Sequence, residues 1–185
     1  MCIKCFKFDN ILEDPDYVEL NYDTIKFQMP LFAQHITDND DGIIGIILKP
    51  DLDNETIINA DLIWKDEIHP CFCIDWIYRV YRHFKYGRTY DVQSIKYNYD
   101  NNLKIYNIYS SNWADEGSSW NICIAKHRCF KYQIDKFEKI YDTPIIYVST
   151  WNHMYSLKQL DINLEFNKDK KPKIYCHREH YSYFI

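Results

Sequence analysis

The chain has 185 residues, a net charge of −5 and a hydrophobic share of 46%. These values exclude the disordered class and the small disulfide-stapled class, because a chain this long can bury about 70% of its unfolded surface. The negative charge is unevenly placed: residues 1–70 hold 15 acidic against 5 basic side chains, and residues 71–185 hold 12 against 17. A net acidic chain with no nucleic-acid-binding motif argues against nucleic acid as a partner.

The apolar residues are of a particular kind. There are 17 Tyr, 10 Phe and 5 Trp, with 26 Ile but only 10 Leu and 4 Ala. Ile and the aromatics suit pleated surfaces, whereas Ala and Leu are the better helix formers. The same bias towards Ile, Lys, Asn and Tyr is the one that AT-rich codons impose, which points to a virus or another AT-rich genome as the source. The seven Cys are odd in number, and the opening MCIKCFKFDN lacks the apolar core of a signal peptide. No window approaches the roughly 18 apolar residues of a membrane span. The expectation is a soluble cytoplasmic protein (host cytoplasm if viral) with reduced thiols, no membrane insertion and a single domain over 1–185.

In chain order, the first element signal is the apolar run IIGIIL at 43–48, a buried strand. The acidic turn DNDDG just before it has the look of a calcium loop. With Gly42 at the sixth position, however, the twelfth falls on Leu48, which has no oxygen to offer. A helix follows at about 74–86. Ile74, Ile77, Tyr81 and Phe84 recur at steps of three and four, Asp75 lies in the first turn, and Gly87 stands at the end. Its apolar stripe is expected to pack on a sheet. Alternation in 93–99 and 103–108 around Asp100-Asn101-Asn102 predicts a hairpin. Further strands are expected at 120–125 and 144–149, a shorter helix at 131–141, and a terminal hairpin from 160–166 and 173–177 around the polar Asn167–Pro172 run. The fold class is therefore α+β: a mainly antiparallel sheet packed against one strong amphipathic helix and one shorter helix.

Three groups of residues could carry chemistry. Cys71 and Cys73 lie at the start of the 74–86 helix, where unpaired N–H groups and the dipole favour thiolate. With His127 or His153 as base and Asn152 or Asp115 as orienting group, they would make an intracellular cysteine hydrolase or acyltransferase. Cys2-Ile3-Lys4-Cys5 has zinc-knuckle spacing, and Cys176 with His180 could complete a site that clips the termini together. The bland alternative is that these thiols are small hydrophobes in the core. Trp151, with Asn152 and His153 after a buried strand, and Arg88, Asp115 and Glu116 in loops, could line a binding site. No phosphate loop or nucleophile elbow is present. On balance the sequence points to a non-enzymatic interaction or accessory protein with a protein partner and no cofactor. The thiol enzyme and the zinc domain are the alternatives.

Overall fold

The computed structural model describes residues 14–35, 42–65, 71–86, 91–115, 118, 127–160, 166–167 and 171–185. Among them, twelve strands form one curled mixed sheet, a half-barrel, so the fold is mostly β rather than α+β. The strands are β1 (Tyr17–Leu20), β2 (Leu31–His35), β3 (Ile43–Asp51), β4 (Asn54–Trp64), β5 (Asp91–Tyr99) and β6 (Ile105–Trp113). They continue with β7 (Arg128–Gln133), β8 (Lys139–Ile140), β9 (Thr143–Val148), β10 (Tyr155–Ser156), β11 (Phe166–Asn167) and β12 (Lys173–His177). Their spatial order is β1-β12-β3-β4-β5-β6-β10-β9-β2-β11, with β7 paired to β6 and β8 to β9.

The backbone of the half-barrel is the antiparallel run β3-β4-β5-β6. Across β4 and β5, Ile58 faces Tyr97, Ala60 faces Ile95, Leu62 faces Gln93 and Trp64 faces Asp91. Alternate residues therefore point inward, and Ile46, Leu48, Ile58, Leu62, Ile95 and Tyr97 fill the concave side. Each fully buried Ile or Leu of this set stabilises the fold by about 1.5–3 kcal/mol relative to exposure. Ala60 sits between Leu48 and Ile95 on its two neighbours, a small residue between two large ones. The convex side carries a smaller apolar cluster of Ile47, Ile63 and Tyr175.

The predicted strands at 43–48 and 144–149 and the hairpin at 93–108 are present. In the hairpin turn the Asp100 carboxylate accepts from the backbone N–H of Asn102 and of Lys104, both at 2.9 Å. The left-handed position falls on Leu103 (φ 59°) rather than on an Asn. Asp100 fixes the loop while the Leu103 side chain packs on the core.

Four expectations are corrected. The sheet is not mainly antiparallel throughout: β12 runs parallel to β3, β2 to β9 and β10 to β6. The 131–141 segment is not a helix but the end of β7, a 3-10 turn at Ile134–Lys136 and the β8–β9 hairpin. Pairing of Tyr132 with Ile108 and Gln133 with Asn107 satisfies its backbone in the sheet, which overrides the helical spacing. Of the terminal hairpin, residues 161–165 lie outside the described residues, and its described parts do not pair with each other: β11 pairs with β2 while β12 is inserted between β1 and β3. Ile174 and Cys176 on β12 are fully buried, and the strand is hydrogen-bonded on both sides. Finally, a helix does occupy Phe72–Tyr86, but its apolar stripe is not packed on the sheet. The expected strand at 120–125 lies outside the described residues, and no described helix is long and apolar enough to cross a membrane.

Candidate functional site

The helix Phe72–Tyr86 opens with the backbone N–H groups of Ile74 and Asp75 donating to the Cys71 carbonyl at 3.0 and 2.9 Å. Asp75 pairs with Arg79 one turn on, Nε to Oδ2 at 2.9 Å. Successive residues turn by about 100°, so Asp75, Tyr78 and Arg82 share one side. Two of the three show which way that side faces. Arg82 is only 5% exposed, and Tyr78 meets Trp151 edge-on with ring centroids 5.7 Å apart. The opposite side carries Trp76, Ile77, Val80 and Phe84, flanked by Ile74 and Tyr81, and all six are exposed; Trp76 reaches 68% and Phe84 84%. The helix is amphipathic as expected but faces the other way.

The cause of this orientation lies at the end of the half-barrel. Asp91, the first residue of β5, stands opposite Trp64 on β4, and its inward parity continues through Gln93, Ile95, Tyr97 and Tyr99. A carboxylate at the barrel mouth needs positive charge and donors. Gln93 Nε2 donates to Asp91 Oδ2 at 2.9 Å, His153 Nδ1 lies 3.2 Å from the same oxygen, and the Arg82 charge acts on it from the helix. Burial alone raises the carboxyl pKa. The His153 hydrogen bond, the charges of His153 and Arg82 and the Gln93 bond outweigh it and hold the group below its ordinary range. Arg82 is thus drawn inward by charge, and the apolar side is turned out.

His153 is fixed on three counts. It sits in the left-handed region (φ 58°) in the turn between β9 and β10. Its backbone N–H donates to the Thr150 carbonyl at 2.9 Å, and its ring stacks on Trp64 at 4.6 Å and 9°. Thr150 Oγ1 donates to Asn152 Oδ1 at 2.7 Å and accepts from the Met154 N–H at 3.0 Å, while the Asn152 carbonyl accepts from Gln93 Nε2 at 3.1 Å. Trp64 Nε1, Gln93 Oε1 and the Tyr155 hydroxyl are buried here without a hydrogen bond from the protein. Burial first, and then the charges of Asp91 and Asp61, push the Tyr155 hydroxyl well above its ordinary range, so it stays neutral.

The structure therefore brings His153, Asn152 and Trp151 together, and adds Trp64, Arg82, Asp91 and Gln93, which no sequence motif marks. A signal for two of them lies in the parity of β5: Asp91 and Gln93 share the alternation of Ile95 and Tyr97. Cys71 and Cys73 lie exposed at the helix start, about 10 Å and 7 Å along the axis from Tyr78, the residue that meets Trp151. His153 bonds Asp91 rather than a thiol, and His127 Nδ1 lies 3.2 Å from Asn112 Oδ1. Asp115 is salt-bridged to Arg128, while Arg88 and Glu116 lie outside the described residues. Of the zinc set, Cys2 and Cys5 lie outside the described residues. Cys176 is buried in the core with its thiol pushed up to about 11 by burial, and His180 stands against His177 with ring centroids 6.0 Å apart. Among the described residues, no group of three His, Cys, Asp or Glu is placed to hold a metal.

These positions set thiol reactivity. Cys71, Cys73 and Cys129 are exposed and should react with a disulfide reagent within the mixing time at pH 8, while Cys176 should react only on unfolding. Fast native-state labelling at Cys176, read by peptide mass mapping, would contradict the inward placement of β12.

Two open grooves lie among the described residues. One of about 550 Å³ lies over Tyr132 and Leu157, and one of about 480 Å³ over Tyr22 and Pro172. Neither gathers a His or Cys among its described lining residues, and the one carboxylate among them, Glu19, is paired with Lys173 at 3.2 Å. Comparison of the chain with protein-family models, with curated proteins and with solved structures gives no match.

Proposed function

We propose that the protein is a non-enzymatic interaction module whose recognition surface is the outer face of the Phe72–Tyr86 helix. One observation carries this reading: six large apolar side chains on a single 15-residue helix are exposed while its arginine at position 82 is buried. Single exposed hydrophobes are ordinary, but a contiguous apolar face of this kind marks a contact surface. The polar cluster behind it acts as the mount. Arg82, buried with its charge acting on Asp91, and Tyr78 against Trp151 set one side of the helix to the barrel mouth and leave the other side outward. The exposed free thiols of the described residues suit a reducing compartment, and a cytoplasmic accessory role is the corresponding location.

The test is a photo-crosslinking side chain placed at position 76 in the producing cell, with position 52 as control. Leu52 is 86% exposed in the β3–β4 turn and has no apolar neighbours in a helix face. A discrete covalent adduct from position 76, to a protein or to a lipid, and none from position 52 is expected. Equal or absent adducts at both positions would remove the helix face as a recognition surface.

A further inference from the structure

The helix face has a shape and a charge pattern that say what kind of surface it fits. Going round the helix at about 100° per residue, the apolar arc runs from Trp76 through Val80, Phe84 and Ile77 to Tyr81 and Ile74. Its centre lies about 140° round the helix from the Tyr78–Arg82 side that meets the barrel. Arg79 and His83 border the arc at the Trp76 edge, and Lys85 borders it at the Tyr81 edge, with Nζ 5.0 Å above the Tyr81 ring centroid. The helix holds three Arg or Lys against one Asp, in a chain whose net charge is −5. Of these cations Arg82 faces the barrel and Arg79 is paired with Asp75, so the protruding apolar ridge is bordered by the Arg79–Asp75 pair on one side and by Lys85 on the other.

Resting on the interaction reading above, we infer that this ridge docks on an anionic lipid surface. The helix would lie parallel to the membrane, with Trp76, Ile77, Val80 and Phe84 entering the headgroup–acyl boundary. Three features favour lipid over a protein partner. The face is convex, and a fluid bilayer accepts a convex ridge without a matching groove. Trp and Tyr at the edges of the arc are the residue types that settle at the headgroup level. Lys85 on one border, with the Arg79–Asp75 pair on the other, leaves the ridge a small positive excess that complements anionic headgroups. The barrel, not the lipid, holds the helix in register, because Arg82 is buried on the opposite side, where its charge acts on Asp91, and Tyr78 meets Trp151.

Flotation of the purified full chain with phosphatidylcholine vesicles, with and without phosphatidylserine, tests this. Wild type should float with the phosphatidylserine vesicles, less with phosphatidylcholine alone, and less at high salt as the charges are screened. Trp76→Ser and Phe84→Ser should each lower the partition coefficient about tenfold or more while leaving the melting temperature unchanged. Arg79→Gln with Lys85→Gln should lower binding only to the phosphatidylserine vesicles. Absence of flotation by wild type, or flotation indifferent to Trp76→Ser and Phe84→Ser, overturns the lipid assignment. If flotation fails while the position-76 crosslink persists on a protein, the helix face remains a recognition surface with a different occupant. If both fail, both readings fall.

Discussion

Replacing Asp91 with Ala should destabilise the protein by about 3–5 kcal/mol, the cost of leaving a buried partner charge uncompensated. The carboxylate is 15% exposed, and on removal it abandons the Arg82 guanidinium, the His153 ring nitrogen and Gln93 Nε2 at once. Arg82 is 5% exposed and its charge is costly to bury alone. Asp91→Ala with Arg82→Met should recover much of the loss, since replacing a buried pair by apolar groups is often close to neutral. Asp91 also sets an acid limit. Its folded pKa lies below the ordinary carboxylate value of about 3.9, so its contribution is fully present above that value and is lost as pH falls through the folded pKa. Urea midpoints of wild type should therefore fall steeply below about pH 4, whereas Asp91→Asn should be weaker at neutral pH and flatter in acid. Parallel acid limbs for the two proteins would show that Asp91 carries no such linkage.

The same residue shows how far the sequence could be read. The 93–99 alternation is visible in the sequence, and extending its parity backwards puts Asp91 and Gln93 inside, beside Ile95. What parity along one strand cannot give is the partner across space. His153 is separated from Asp91 by two strand pairings and a turn, and only the β6–β10–β9 arrangement brings them together. The helix was legible in extent and amphipathicity, since both follow from local spacing. Its orientation was not, because a buried carboxylate at the barrel mouth competes with the tendency of the apolar stripe to face the core, and its attraction for the Arg82 charge turned that side inward. The parallel pairings were hidden for a related reason. β12 reads as one arm of a hairpin because its alternation is short, and nothing within Lys173–His177 tells that β1 and β3 flank it. Helical spacing at 131–141 misled in the opposite direction: Tyr132 and Phe137 are apolar to serve Trp113, not to line a helix.

Trp113 is where loss of packing should cost most. It is 1% exposed, and it lies where β10 takes over from β5 beside β6, opposite Arg128 on β7 and Tyr155 on β10. Its ring meets Tyr132, Phe137 and Tyr155 edge-on at centroid distances of 4.9, 5.8 and 5.9 Å. Its Nε1 donates to the Phe130 carbonyl at 3.0 Å, which ties β7 to the core. Trp113→Ala removes the ring and that donor together, and should cost about 3–5 kcal/mol. Against a typical domain stability of about 5–15 kcal/mol, this brings the protein close to unfolding at 25 °C. Trp113→Phe keeps most of the aromatic contact and loses the hydrogen bond, so a smaller loss of about 1–3 kcal/mol is expected. Trp76→Ala on the helix face removes a side chain of the same type whose surface is already in water, and should change stability by no more than about 0.5 kcal/mol. Urea unfolding of the three variants, followed by far-ultraviolet circular dichroism, separates the two roles of tryptophan in this chain. Equal midpoints for Trp113→Ala and Trp76→Ala would mean that one of the two residues has been misplaced between core and surface. A midpoint shift confined to Trp113→Ala is the result that an outward-facing helix on a closed aromatic core requires.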